Sequence, residues 1–156
     1  MENYAVYIIF FHILGAIVWV GGMIAVRFAV HPAMSNISDP SVRLARTLEV
    51  TGRLFVLVAP FLAIIIVTGL LMATMFGFRG QTNLSLVVHL KEVIWLIMTL
   101  NYALMVYLRF KAQNRFLVMD LKGAADTLSP IARFLLPLNI FLGVLALYFG
   151  LVLRGF

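Results

Sequence analysis

Four ionisable side chains lie within otherwise apolar stretches. His12 is part of "HILGAIVWVGG", and His89, Lys91 and Glu92 are part of "VVHLKEVIW". An ionisable group near the centre of a bilayer costs on the order of 3 kcal/mol or more, so each is a candidate functional residue. A neutral imidazole is a suitable ligand for iron, and a neighbouring carboxylate can orient it.

Four apolar runs must position these residues. The chain has 156 residues, of which 63% are hydrophobic and 12% charged, too few polar groups to cover a soluble core. Runs of 18 or more apolar residues are long enough to cross a bilayer. The sequence therefore predicts a single all-α membrane domain, a four-transmembrane-helix bundle with spans near residues 4–30, 54–78, 84–108 and 134–153.

The net charge of +6 is distributed unevenly along the chain. Nine basic residues flank the first and third connections: Arg27, Arg43, Arg46, Arg53, Arg109, Lys111, Arg115, Lys122 and Arg133. Only Arg79 and Arg154 are near the other ends of the spans. The positive-inside rule then predicts cytoplasmic connections and both termini outside. The basic charge reflects membrane topology, and we expect no binding to nucleic acid.

The connections carry further signals. Residues 41–53 have helical spacing and are predicted to extend the second span. The third connection fits either an interfacial amphipathic helix, with Phe116, Leu117, Met119 and Leu121, or a solvated loop. The chain has no cysteine, which excludes disulfides and thiolate metal sites.

His12 and His89 are predicted to lie at similar depths on two spans that run in the same direction. Two imidazoles so placed can face each other across a flat cofactor, for which haem is the obvious candidate. Alternatively, each histidine only hydrogen bonds to a neighbouring helix. Gly15 and Gly22 either leave room for a bulky ring or allow close helix packing.

Lys91 is two positions from His89, about 200° around a helix, so the two side chains cannot share a face. Lys91 aligns instead with Trp95, Met98 and Tyr102. Glu92 lies near the histidine face and is predicted to orient the second ring nitrogen of His89. The alternative is that Lys91 and Glu92 reach the headgroups.

Two stretches carry a family resemblance. "HILGAIVWVGG" resembles the first-helix signature of the CopD-type and HemJ-type four-helix membrane proteins. "VVHLKEVIWLIMTLNYALMVYLRFKAQNRF" resembles the HemJ third helix, and the closing "VLRGF" is similar to that family's terminus. The resemblance implies a multi-pass protein of the bacterial cytoplasmic membrane that binds haem b and oxidises protoporphyrinogen IX to protoporphyrin IX.

The predicted site follows from these two lines of reasoning. His12 and His89 are the predicted metal ligands, and Lys91 is the predicted catalytic residue, steering or deprotonating the substrate. The other predicted cofactor-binding residues are Gly15, Trp19, Gly22, Glu92 and Tyr102.

Three functional hypotheses stay open at this point. The first is a haem b redox protein that oxidises a porphyrinogen or exchanges electrons with the quinone pool, with membrane lipid and porphyrin or quinone as partners. The second is CopD-like copper transport, which predicts that Met72, Met75 and a histidine converge. The third is a non-catalytic helical subunit whose polar residues specify packing. The sequence also leaves a homo-oligomer open.

Overall fold

The computed structural model describes the backbone of residues 2–77 and 82–153 and the side chains of residues 4–77 and 85–153. Four long helices make up this part of the chain: α1 over residues 2–35, α2 over Pro40–Met75, α3 over Thr82–Leu117 and α4 over Leu121–Val152. All four are long and apolar enough to cross a membrane. The described residues contain no strand, so an all-α architecture with four potential spans is confirmed.

Arg79 and Arg154 lie outside the described residues, as does most of the closing "VLRGF". The two ends of the bundle are called the termini end and the basic end. The termini end holds Tyr4, Met75 and Val152, and the basic end holds the α1–α2 and α3–α4 connections.

The helix α2 begins well before the apolar run, which confirms the predicted extension through residues 41–53. Asp39 is its N-cap, and its carboxylate accepts hydrogen bonds from the Ser41 hydroxyl at 2.7 Å and the Ser41 amide at 2.8 Å. Both bonds lower the pKa of Asp39 below its ordinary value, and the bond from the Ser41 hydroxyl has the larger effect. Pro40 at the first helical position reinforces the same start.

Residues 121–130 of the third connection form an amphipathic helix, as one of the two predictions had it, but this helix begins α4 directly after a tight turn. The alternative prediction of a solvated loop is wrong. Phe116 and Leu117 end α3, Met119 lies in the turn with a φ of +62°, and Leu121 begins α4. The Asp120 carboxylate caps α4 by accepting from the Gly123 amide at 2.8 Å. The four apolar side chains therefore belong to three different elements.

Within the described residues, three π-helical turns interrupt the long helices. Two are in α1, at Ile17–Gly21 and Val26–Val30, and one is in α4, at Ile131–Leu135. Such turns re-aim side chains within a helix and are frequent at functional sites. The first of them carries Trp19 and Val20, both buried in the bundle.

Polar contacts join neighbouring helices across the apolar core. Tyr102 on α3 donates its hydroxyl to the Phe55 carbonyl of α2 at 2.6 Å. Asn101 on α3 donates to the Asn139 side chain and the Leu135 carbonyl of α4, both at 2.7 Å. In a bilayer, such interhelical hydrogen bonds fix which helix faces are adjacent. The contacts of α1 with α4 lie mainly in residues 17–25 of α1.

Candidate functional site

A cavity of about 330 Å³ lies between the helices in the half of the bundle nearer the termini end. This volume falls in the range of ~300–1000 Å³ that is typical of small-molecule sites. Its walls are largely apolar, and the polar or aromatic residues in them are His12, Trp19, Phe76, Lys91, Glu92 and Trp95. The chain has two tryptophans, and both line this cavity.

His12 enters the cavity from α1, and α2 fixes its orientation. Its Nδ1 lies 2.8 Å from the Thr68 hydroxyl oxygen. That hydroxyl donates its one proton to the Ile64 carbonyl at 2.6 Å, so its oxygen is left to accept. The network therefore assigns the proton of His12 to Nδ1 and leaves Nε2 with a lone pair.

The hydrogen-bond partners of the His12 ring in the described part of the chain lie on one segment of α2, at the Thr68 hydroxyl and the Ile65 carbonyl. The Thr68 hydroxyl is the partner of Nδ1, and no described side chain bonds to Nε2. Gly69 lies next to the ring, where a Cβ would be 3.4 Å from the His12 Cε1. An imidazole held at Nδ1 with a free Nε2 is the arrangement that metal-ligating histidines adopt.

Lys91 reaches the same cavity from α3, together with Trp95 and Met98. The predicted common face of these residues is thus confirmed, and Lys91 is half-buried in the cavity wall. Its ammonium lies beside Gly150 of α4, where a Cβ would be 3.3 Å from Nζ. Within residues 4–77 and 85–153, no carboxylate forms an ion pair with Lys91.

His89 lies on the outside of the bundle. Its side chain is 64% exposed, and its Nδ1 is 3.1 Å from the carboxylate of Glu92. The predicted contact between Glu92 and the second ring nitrogen of His89 is present, and Glu92 also lines the cavity. Because Lys91 faces inward, a residue about 200° away on the same helix must face outward.

The cross-helix contacts place the two histidines at a similar depth but on different faces. His89 and Thr68 are each thirteen residues toward the termini end from the bonded pair Tyr102 and Phe55. His12 is bonded to Thr68, so all three lie near one level. The structure therefore does not bring the two imidazoles together within one chain.

Trp19 forms the floor of the cavity, and Tyr102 lies beneath it. Trp19 lines the cavity and is 2% exposed, and no described residue accepts a hydrogen bond from its Nε1. Tyr102 packs edge-on against Trp19, with ring centroids 6.4 Å apart, but is not part of the cavity wall. It supports the floor from below.

Gly15 and Gly22 are placed in helix contacts and not in the cavity wall. A Cβ at Gly15 would lie 2.6 Å from Ile65 and 3.2 Å from the Phe61 carbonyl, and one at Gly22 would lie 3.0 Å from Leu54. The closeness of α1 and α2 depends on these small residues.

The sequence reasoning missed Thr68 and the glycines of the cavity wall: Gly69, Gly143 and Gly150. A signal for Thr68 existed, because no other residue in 54–73 carries a hydroxyl, an amide or a charge. No comparable signal marked the glycines, since glycine is common in membrane helices.

The donor set of the cavity does not suit a metal held by protein ligands alone. Among the described residues, no three His, Cys, Asp or Glu side chains converge. Met72 lines the cavity, whereas Met75 is exposed and does not, so the copper set of two methionines and a histidine is not assembled. A haem needs fewer protein ligands, because the porphyrin supplies four nitrogens and the protein supplies only axial ones.

No protein-family model, curated protein or solved structure matches this chain. The structure therefore defines the class of the protein only as four potential membrane-spanning helices around a cavity, with an oriented histidine and a lysine that pairs with no described carboxylate.

Proposed function

We propose that the protein binds haem b or a related porphyrin in this cavity and has a redox function. His12 would hold the iron through Nε2, and Lys91 would pair with a carboxylate at the porphyrin edge. The observation that carries this proposal is the orientation of His12, whose Nδ1 lies 2.8 Å from the Thr68 hydroxyl, so that Nε2 is the nitrogen left for iron. When bound, the haem supplies one-electron transfer chemistry.

The remaining residues of the cavity suit the same ligand. A porphyrin has a large apolar, aromatic body and two carboxylates on one edge. Trp19, Trp95 and the aliphatic residues of the wall can pack against the porphyrin ring, and the ammonium of Lys91 can pair with a carboxylate. Lys91 would also steer an anionic porphyrinogen into place in the oxidase version of this function.

The cavity is reached from the side of the bundle. Ile13 on α1 and Leu147 and Leu151 on α4 line it and are also exposed on the outside. The helices α1 and α4 close on each other where a Cβ at Gly143 would lie 2.5 Å from Val20. A ligand that is dissolved in the membrane can therefore enter between the sections of α1 and α4 that are nearer the termini end.

A quinone is the second candidate, since it also dissolves in the bilayer. Quinone oxygens only accept hydrogen bonds, so they need donors in the cavity wall. Lys91 is such a donor, whereas the Nε1 of Trp19 is buried and does not reach the cavity surface. The lone pair on His12 Nε2 cannot donate, which favours a metal at that atom.

The first test is a haemin titration of the purified protein in detergent. Because Trp19 and Trp95 are the chain's two tryptophans, quenching of the intrinsic fluorescence reports occupation of the cavity. We expect quenching with a Soret band for the wild type, and a loss of at least about tenfold in affinity for His12→Ala, since an axial ligand is lost. His31→Ala, an exposed histidine at the basic end, is the matched control.

Two ligand analogues separate the roles of the two residues. His12→Ala should weaken haemin but not metal-free protoporphyrin, because only the iron needs the imidazole. Lys91→Met should weaken haemin but not its dimethyl ester, which has no carboxylates. If His12→Ala binds haemin as tightly as His31→Ala does, or if haemin never quenches the wild-type fluorescence, the proposal is wrong.

A further inference from the structure

A second cavity, which we call the basic-end groove, lies between α1, α2 and α4 at the basic end of the bundle. Its volume is about 50 Å³, far below the ~300–1000 Å³ of typical small-molecule sites, so it can hold only a small part of a larger molecule. Eight of its twelve lining residues are aliphatic or methionine, and none is acidic. The other four are Arg27, His31, Thr47 and Thr51.

Two of the π-helical turns lie in the walls of the basic-end groove. The turn Val26–Val30 of α1 and the turn Ile131–Leu135 of α4 each contribute residues to the lining. Such turns are frequent at functional sites. The turn in α1 includes Arg27, which is half-buried, so the groove and the direction of this arginine depend on the same local departure from a regular helix.

The basic charge next to the groove is not neutralised within the described part of the chain. Glu49 forms ion pairs with Arg46 at 2.8 Å and with Arg53 at 2.7 Å. Within residues 4–77 and 85–153, neither Arg27 nor Arg43 forms an ion pair. These two arginines therefore offer their positive charge to a ligand.

Arg43 lies next to the groove on α2. Its backbone carbonyl accepts the Thr47 hydroxyl at 2.8 Å, and Thr47 lines the groove. Because residues four positions apart share a helix face, Arg43 is on the groove side of α2, one turn nearer the basic end. The Thr51 hydroxyl donates to the Thr47 carbonyl at 2.7 Å, so neither threonine offers its proton to a ligand. The strong donors at the groove are thus arginines, which pair with anions.

The groove lies at the level where the helices leave the hydrocarbon. Arg27 is twenty-three residues from Tyr4, roughly 34 Å along α1 at 1.5 Å per residue, and the hydrocarbon is about 30 Å thick. Exposed aromatic side chains, which are enriched at membrane interfaces, mark this level on three helices: Phe28, Tyr107 and Phe134. Lipid headgroups therefore surround the bundle at the groove.

We propose that an anionic phospholipid binds at the basic-end groove, with its phosphate paired to Arg27 and Arg43 and the carbon atoms next to the phosphate packed in the groove. Guanidinium groups match phosphate in charge and in hydrogen-bond geometry. The aliphatic lining can pack against the methylene groups on either side of the phosphate. Basic pockets between membrane helices bind the headgroups of anionic lipids in this way. No residue lines both this groove and the cavity proposed for haem.

Native mass spectrometry of the full chain in detergent tests this proposal. Phosphatidylglycerol is the anionic probe, and phosphatidylcholine with the same acyl chains is the neutral control. We expect one phosphatidylglycerol to bind at least about fivefold more tightly, since each cationic side chain contributes roughly this factor toward an anionic lipid. Equal affinities for the two lipids would overturn the proposal. Displacement of the lipid by glycerol 3-phosphate, which has no acyl chain, would show a site for a soluble phosphate and would also overturn it.

The role of Arg27 is tested by a pair of variants that lose the same charge. Arg27→Gln should lower the affinity for phosphatidylglycerol about fivefold. Arg133→Gln is the matched control, because Arg133 is exposed on the π-helical turn of α4 and does not line the groove. Arg27→Lys keeps the charge and should retain more affinity than Arg27→Gln. Equal losses for Arg27→Gln and Arg133→Gln would mean a general attraction to the basic end and would refute the site.

The groove itself is tested without any change of charge. Ala132→Leu fills space in the groove and should weaken phosphatidylglycerol binding at least about threefold by steric overlap, whereas Ala29→Leu, exposed and outside the groove, should not. Unchanged binding to Ala132→Leu would contradict the packing of the lipid in the groove. Tryptophan emission checks that each variant is folded, because both tryptophans line the other cavity. No haem or porphyrin is added, so the outcome is independent of the proposed function.

Discussion

Thr68→Val is the sharpest perturbation of the candidate site, because it removes one hydroxyl and keeps the shape of the side chain. Thr68 does not touch the cavity contents itself, since it is absent from the cavity wall. Its hydroxyl oxygen accepts from the Nδ1 of His12 at 2.8 Å. Without it, the imidazole loses the contact that fixes its tautomer and its ring orientation, so Thr68 is a positioning residue.

The expected magnitude follows from the kind of contact that is lost. Removing a partner that orients a metal-ligating histidine typically lowers the affinity for the metal group ~10–100-fold. This corresponds to roughly 1.4–2.8 kcal/mol of binding free energy, at about 1.4 kcal/mol per factor of ten. We therefore expect Thr68→Val to weaken haemin binding by one to two orders of magnitude and to leave metal-free protoporphyrin unaffected.

Thr74→Val is the matched control for this experiment. Thr74 lies on the same helix, and its hydroxyl likewise donates to a carbonyl of the preceding turn, that of Leu71 at 2.9 Å. It is exposed and bonds to no histidine. Both variants are titrated with haemin by tryptophan quenching. Equal affinities for Thr68→Val and Thr74→Val would refute the argument that Thr68 prepares His12 as a ligand.

Two further predictions concern the packing that surrounds the cavity. Gly143→Ala should destabilise the bundle by about 1–3 kcal/mol, because a Cβ there would lie 2.5 Å from Val20, whereas Gly21→Ala, with nothing within 4 Å, should be neutral. Equal unfolding midpoints in SDS would contradict this difference. Asn139→Leu should lower the stability of the bundle by about 1–3 kcal/mol in the same assay, at roughly 0.6–1.7 kcal/mol for each membrane hydrogen bond lost. Asn139 is fully buried, and its side chain forms hydrogen bonds with Asn101 and with the α3 backbone. An unchanged midpoint would show that this network does not hold α3 against α4.

Much of the architecture was predictable because hydropathy is a local property. Each apolar run is long enough to span a bilayer whatever the rest of the chain does, so four spans could be read directly. The extension of α2 was also local, since Asp39, Pro40 and the spacing of residues 41–53 are all adjacent in sequence. The α3–α4 turn was missed because its geometry depends on Asp120 and Arg115 bonding across it.

The sequence by itself also determined that His89 and Lys91 point in opposite directions, because 3.6 residues per turn separate them by about 200°. It could not decide which of the two faces the inside. Bundle packing decides that: Trp95, Met98 and Tyr102 share the Lys91 face and are packed against the other helices, which turns His89 outward. Likewise, only the tertiary structure brings Thr68 to His12, since the two are 56 positions apart and their contact depends on how closely α1 and α2 approach. Membrane insertion depends on the hydropathy of each segment alone, whereas the direction in which a side chain points depends on packing between helices that are distant in sequence.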